Sequence, residues 1–316
     1  MKIPETLIEA IEYFADPDAC LDFMVWSRWS EGVVCPTCGG TEVKFLATRR
    51  LWKCKKVHPK QQFSIKVGTI YEDSPIPLNK WLVSTWVIAN DKNGISSYEL
   101  SRAIGVSQKS AWFMLHRIRL AMQSGTFEKS TGTHEADETF IGGLARNMHK
   151  NRRDAVIKGT GGMGKAIVVG ILNRHAGPGH STVKATVVAD RTRRTLLPLI
   201  QQHIEAGATV YTDALPSYNG LRADYMHEAI DHAETYVNGA VHTNGIENFW
   251  SLLKRAIHGT YISVEPFHLF RYIDEEAFRF NSRQLSDDAR FLQVVLSVVG
   301  KRLTYQELTG SSTTPA

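Results

Sequence analysis

Ten residues near the middle of the chain, His134 to Gly143, read His-Glu-Ala-Asp-Glu-Thr-Phe-Ile-Gly-Gly. Thr139, Phe140 and Ile141 favour a strand, and the paired glycines end it in a turn. Three acids, Glu135, Asp137 and Glu138, sit in the same run. Carboxylates disfavour strands, and burying one unpaired is costly. The two-residue period of a strand sends Glu135, Asp137 and Thr139 to one face and Glu138 to the other. Such a strand either lies at a solvated sheet edge or brings Asp137 to a divalent cation at the sheet's rim. The second solution requires further carboxylates from elsewhere in the chain.

Two candidates follow in sequence. Residues 166–172 and 183–189 read as strands, 194–204 as an amphipathic helix, and 208–213 as a strand ending in Asp213. This alternation places residues 131–282 in a mixed α/β domain. A carboxylate at the carboxyl end of a buried strand is well placed for a metal, although Asp213 also suits a cap on the turn that follows. Next, Asn244 or Thr243 caps a helix running to about Ile257, with Ile246, Phe249, Trp250, Leu253 and Ile257 on its apolar face. Glu247 and Lys254 lie two turns apart on a neighbouring stripe, so one can reach a cation while the other reaches a phosphate. Asn248 is an alternative third ligand, but a full negative charge binds Mg2+ or Mn2+ better than a carboxamide. The run from 144 to 165 is basic and glycine-rich and includes Arg152 and Arg153. It lacks the Gly-Lys-Ser/Thr ending of a nucleotide-binding loop, so it reads as a segment that meets nucleic acid. A helix over 266–281 is expected to turn Phe267, Phe270, Ile273, Ala277 and Phe280 inward.

The N-terminal 75 residues hold all four cysteines, at 20, 35, 38 and 54. Cys35-Pro-Thr-Cys38-Gly-Gly aims two thiolates at one point, and Cys54-Lys-Lys-Val-His58 returns with one Cys and one His. Cys35, Cys38, Cys54 and His58 would close a tetrahedral zinc site in a ribbon, with Cys20 the alternative to His58 as fourth ligand. Lysines and arginines around these positions suit contact with phosphates.

Residues 76–130 read as helices. Ser97 to Ile104, a Gly105-Val106 turn and a second helix capped by Ser107 form a helix-turn-helix. Gln108, Lys109 and Ser110 would lie at the front of its recognition helix, with Arg117 further along. Residues 283–316 read as a last helical segment and a polar tail, disordered by composition.

With 316 residues, 43% hydrophobic and 22% charged, the chain is long enough for two or three domains with full cores. No apolar run approaches the roughly 18 residues that span a bilayer, and the first residues lack a signal peptide's apolar centre. A cytoplasmic protein with no membrane role is expected, and its net charge of +5 leans toward a polyanionic partner.

Asp137 in Glu-Ala-Asp-Glu-Thr-Phe-Ile-Gly-Gly, Asp213 in Tyr-Thr-Asp, and Glu247 in Asn-Gly-Ile-Glu-Asn-Phe-Trp followed by Lys254-Arg255 resemble the DDE transposases of bacterial insertion sequences. The similar group has an N-terminal zinc ribbon before a ribonuclease H-like core, and the resemblance runs from about residue 20 to 282. Family members often carry two C-x2-C pairs where this chain has Cys54 and His58, and some use Asn as the third acidic-site residue. The resemblance implies a ribonuclease H-like mixed sheet flanked by helices, preceded by a zinc ribbon and a helix-turn-helix. It also implies Lys254 and Arg255 at the DNA backbone. The partners implied are double-stranded DNA, as terminal repeats and target, and further copies of the chain at the bacterial nucleoid. Two Mg2+ ions roughly 3.5–4 Å apart would activate water for strand nicking and then the freed 3′-hydroxyl for joining. Asp137 would bridge both ions, and Asp213 and Glu247 would hold one each. Other functions consistent with these residues are a metal-dependent nuclease or resolvase, or a DNA-binding regulator with an inert core.

Overall fold

A computed structural model describes residues 2–123, 129–142, 150, 164–174, 180–230 and 242–310. Arg152 and Arg153, most of the basic glycine-rich run and the tail past Gly310 lie outside the described residues. The first elements are α1 (Leu7–Tyr13), α2 (Pro17–Arg28), β1 (Val43–Leu46), β2 (Leu51–Cys54), β3 (Gln62–Phe63), α3 (Leu78–Asn90), α4 (Ser97–Ile104) and α5 (Gln108–Met122). Then come β4 (Thr133–Ile141), β5 (Ala166–Arg174), β6 (Thr182–Val188), α6 (Arg193–His203), β7 (Thr209–Asp213) and β8 (Met226–Ile230). The last are α7 (Asn244–Arg255), α8 (Leu269–Asn281), α9 (Asp287–Leu296) and α10 (Tyr305–Leu308). They form two compact units, Met1–Gln123 with Leu285–Ala316, and Ser124–Gln284.

Short, well-capped helices build the first unit. Thr6 and Glu9 cap α1 reciprocally, and Asp16 with Pro17 starts α2. Phe14, Phe23 of α2 and Phe291 of α9 pack ring on ring, with centroids 5.2 Å apart for the first pair and 5.7 Å for the second. β1, β2 and β3 form an antiparallel sheet whose Trp52 stacks on Phe63. Between α4 and α5, Gly105 takes the left-handed conformation (φ 63°) that ends α4, and the Ser107 hydroxyl accepts the Ser110 amide to start α5.

One expectation for this unit needs correction. Arg117 is only 5% exposed. Its guanidinium donates to the Leu303 and Glu72 carbonyls at 3.0 and 2.8 Å and lies over the Phe113 ring. Both polar ends are satisfied inside the unit, so Arg117 is not available to a DNA phosphate. Periodicity alone could not reveal this, because the chain that supplies Leu303 arrives 186 residues later.

The second unit is a five-stranded mixed sheet in the order β6-β5-β4-β7-β8. The pairs β4–β5 and β5–β6 are antiparallel, and β4–β7 and β7–β8 are parallel. Ala136, Val169, Ile171 and Val210 share one core with Leu196 and Ile200 of α6. Ile141, Val168 and Leu172 share another with Ile246, Phe249 and Leu253 of α7 and Ile273 of α8. The odd-numbered residues of β4 therefore face α7, as the strand period requires. β8 was not anticipated, because Met226-His-Glu-Ala-Ile is short and does not alternate apolar with polar residues. At the start of α8 the expected inward stripe fails, since Phe267 and Phe270 are 57% and 37% exposed, whereas Ile273, Ala277 and Phe280 are buried.

α7 lies directly on the backbone of β5. A Cβ built on Gly170 would stand 2.6 Å from the Trp250 ring and 2.7 Å from Ile246 Cδ1. Ile246 can turn its Cδ1 aside, but the rigid Trp250 ring cannot give way without shifting. Gly170→Ala is therefore expected to cost about 1–3 kcal/mol of stability through overpacking, measured by urea denaturation.

Candidate functional site

The clearest donor cluster lies in the first unit. The C-x2-C turn is closed by backbone bonds from the Cys35 amide to the Gly40 carbonyl and from the Gly39 amide to the Cys35 carbonyl, with Gly39 left-handed at φ 68°. β2 ends at Cys54, and the following turn returns His58. The ligand atoms of Cys35, Cys38, Cys54 and His58 all lie within 4.8 Å of one another. Cys35 Sγ is 3.5 Å from His58 Nε2, and Cys38 Sγ is 3.7 Å from Cys54 Sγ. Zn–S bonds of about 2.3 Å and Zn–N bonds of about 2.0–2.1 Å, set at a tetrahedral angle, give edges of about 3.6 and 3.8 Å. The donor set therefore fits Zn2+. His58 Nδ1 donates to the Pro59 carbonyl at 2.6 Å, which leaves Nε2 for the metal. Burial pushes the Cys35 thiol up, but the Cys38 and Thr37 amides outweigh it and bring it down to about 7. Cys20 is not part of the cluster. Its buried thiol donates to the Phe14 carbonyl, and desolvation pushes it up to about 12. His58, not Cys20, is the fourth member.

Asp137, Asp213 and Glu247 all lie in the second unit. In the β4–β7 ladder Ala136 pairs with Thr212, so Asp137 and Asp213 are the next residues along two adjacent parallel strands. Parallel neighbours in register present their side chains to the same face, with strands about 4.8 Å apart. On the other side of β4, Asp137 pairs with Gly170, the position on which α7 rests. Trp250 of α7 donates its indole N–H to Asp137 Oδ2 at 2.9 Å. Glu247, one turn nearer the start of α7, is exposed and accepts from the Thr243 hydroxyl at 2.9 Å. Desolvation pushes Asp137 up to about 6, and the charges of Asp213 and Glu247 act in the same direction. Glu247 is thus within electrostatic reach of Asp137. Asn248, Lys254 and Arg255 of the same helix are exposed.

Glu138 points away from this face. Its side chain is 2% exposed, accepts from the Tyr218 hydroxyl at 2.7 Å and lies 3.9 Å from Arg191. Burial, followed by the charges of Asp213 and Asp137, pushes it up to about 7. Raised carboxyl pKa values at Asp137 and Glu138 suit chemistry with cations.

Of the residues expected to face DNA in the first unit, Lys109 is exposed, with its ammonium 4.7 Å from the Tyr305 ring centroid. Gln108 donates to the Ser97 hydroxyl, and Ser110 is engaged in the helix cap. Sequence reasoning placed Glu135 on the face of Asp137 but missed its partners, and it missed Arg174 and Tyr218 altogether as members of the acidic site's surroundings. Their partners are 39 to 111 residues distant, and no local spacing announces them.

Among the described residues, no helix is long and apolar enough to cross a membrane.

Residues 129–281 match the ISXO2-like transposase domain, and residues 15–56 match the transposase zinc-ribbon domain. The first span contains Asp137, Asp213 and Glu247, and the second contains Cys35, Cys38 and Cys54 and stops just short of His58. A protein of Halobacterium salinarum, described as uncharacterized in transposable element ISH50, is 27% identical over 257 residues, 78% of this chain and 84% of that one. A transposase-like protein of Haemophilus influenzae is 30% identical over 112 residues, 35% of this chain and 90% of that one. With a zinc ribbon before an acid-bearing α/β unit and these relatives, the chain belongs to the family of ISXO2-like transposases.

Proposed function

We propose that this transposase cuts the ends of an insertion element and joins them to target DNA, using Asp137, Asp213 and Glu247 to hold Mg2+ or Mn2+. The observation that carries the reading is the placement of Asp137 and Asp213 side by side on parallel strands, with the helix of Glu247 laid on the same face. Oxygen donors are what such hard cations take, and the mutual repulsion of the acids favours them further. Glu247 is preferred over Asn248 as third ligand because its charge already acts on Asp137. The strand order β6-β5-β4-β7-β8, with the first three strands antiparallel and the others parallel, supports a ribonuclease H-like core.

Two such ions, when bound, supply Lewis acidity to the attacking and leaving oxygens of a phosphodiester. The chain's own residues orient that centre. Asp137 is held by the Trp250 indole, and Glu247 by Thr243. Lys254 and Arg255, exposed on the helix of Glu247, would neutralise backbone phosphates next to the scissile bond. α4 and α5 would act as a helix-turn-helix, with Lys109 the freest contact and Gln108 and Ser110 beside it. Arg152 and Arg153 complete the proposed DNA contacts. Cutting two element ends together calls for at least two copies of the chain, acting at the nucleoid.

A pre-cleaved element end with a free 3′-hydroxyl, incubated with the chain, target plasmid and Mg2+, is expected to yield joined product on a gel. Nicking of intact ends without joining would instead indicate a nuclease or resolvase. Retarded DNA with neither product would indicate a regulator with an inert core.

A further inference from the structure

We infer that Glu135 is a positioning residue that clamps the helix bearing Glu247 onto the strand bearing Asp137, and so sets the spacing of the carboxylates around a divalent cation. The inference rests on the metal-site reading of Asp137, Asp213 and Glu247. Glu135 lies two residues before Asp137 on the same face of β4, and its side chain is 1% exposed. A buried carboxylate is tolerated only when its charge is compensated. Two groups do this. Arg174 Nε donates to Oε1 at 2.6 Å, and the Ile246 amide of α7 donates to Oε2 at 2.8 Å. Arg174 is itself fixed by bonds to the His242 ring and carbonyl and by the Tyr211 ring beneath it.

The Ile246 amide is one of the unpaired donors at a helix start, which a capping side chain ordinarily satisfies. Here Thr243, the residue at the cap position, makes no capping bond, and its hydroxyl donates to Glu247 instead. A strand residue 111 positions earlier takes the cap's place. It adds a negative charge at the positive end of the helix dipole. Gly245 makes the approach possible, because a Cβ there would stand 2.9 Å from Glu135 Oε2. Glu247 follows Ile246 directly. The clamp therefore acts one residue from the proposed third ligand, and the Trp250–Asp137 bond closes the other side of the same joint.

The test is Mn2+ binding to the full-length, zinc-loaded chain, read from the electron paramagnetic resonance signal of free Mn2+. Glu135→Ala and Gly245→Ala are each expected to weaken Mn2+ binding by about 10–100-fold. Cleavage should recover as Mn2+ is raised, with KM for DNA unchanged. Glu135→Gln, which keeps an oxygen for the Ile246 amide, should fall between wild type and Glu135→Ala. Wild-type Mn2+ affinity in both alanine variants overturns the clamp, even if their melting temperatures drop. Asp137→Asn separates the two readings. If it removes Mn2+ binding while the alanine variants keep it, only the clamp fails. If wild type shows no Mn2+ binding that depends on Asp137, the metal-site reading fails and takes the clamp with it.

Discussion

Asp137→Asn is expected to abolish cleavage and joining while leaving DNA binding intact, and to make the Mg2+-free protein more stable. The three effects share one cause. Asp137 is half-buried, and desolvation, with the charges of Asp213 and Glu247 acting the same way, raises its pKa to about 6. The amide is nearly isosteric and still accepts the Trp250 indole N–H, so the joint between β4 and α7 survives. What disappears is the charge that a divalent cation needs. The loss of activity should exceed the roughly 100-fold upper range seen when a group outside the direct ligands is removed.

The pH dependence has a definite sign. A carboxyl whose folded pKa is raised above its unfolded value leaves stability untouched below the unfolded value. It removes stability as pH rises through the interval between the two. For Asp137 that interval runs from 3.8 to about 6. Relative to wild type, Asp137→Asn should gain stability across this window and hold the gain above it. Two pKa units correspond to about 3 kcal/mol at most. Burial lowers the pKa of His134, His203 and His227, so each adds stability as pH rises, in the opposite direction. The quantity to measure is therefore the difference between variant and wild-type melting temperatures across pH, in Mg2+-free buffer with zinc retained. An active Asp137→Asn, or one that loses DNA binding together with cleavage, would remove Asp137 from its assigned role.

The second large effect concerns the zinc cluster. The ribbon has three strands of four, four and two residues, too few to hold a core by themselves. Structural zinc in small modules supplies about 10–16 kcal/mol of apparent binding free energy at neutral pH. Cys54→Ser should therefore lose the metal, the ordered ribbon and affinity for DNA. Cys20→Ser should retain one zinc per chain, because that thiol bonds a helix carbonyl away from the cluster. His58→Cys should also retain zinc, with a thiolate in place of the imidazole. Zinc released to a colorimetric chelator gives the stoichiometry, and Co2+ substitution reports the number of thiolates. Full zinc retention by Cys54→Ser would refute the four-residue assignment.

What the sequence made legible follows from periodicity and spacing. The acid-bearing strand kept its faces, with Glu135, Asp137 and Thr139 toward α7 and Glu138 toward Tyr218. α4 spans the expected residues because Ser96, Gly105 and Ser107 are strong local signals. The Cys-x2-Cys and Cys-x3-His spacings met at one point. The rest depended on distant partners. Arg117 read as a surface base until Leu303 and Glu72 supplied carbonyls for it. Glu135 read as one acid among three until Arg174 and Ile246 gave its charge a purpose. Gly170 carried no signal, since its significance lies in a helix that begins at Asn244.

The chain leaves its first unit after Gln123 and returns to it only at Leu285. Synthesis on the ribosome therefore delivers every residue of the acidic unit before Phe291 emerges to seal Phe14 and Phe23. A product cut short after the acidic unit would carry all three carboxylates yet lack the keystone of the region that holds the zinc cluster. Interrupted translation would then yield a molecule that holds the acidic unit but leaves the core of the first unit unsealed.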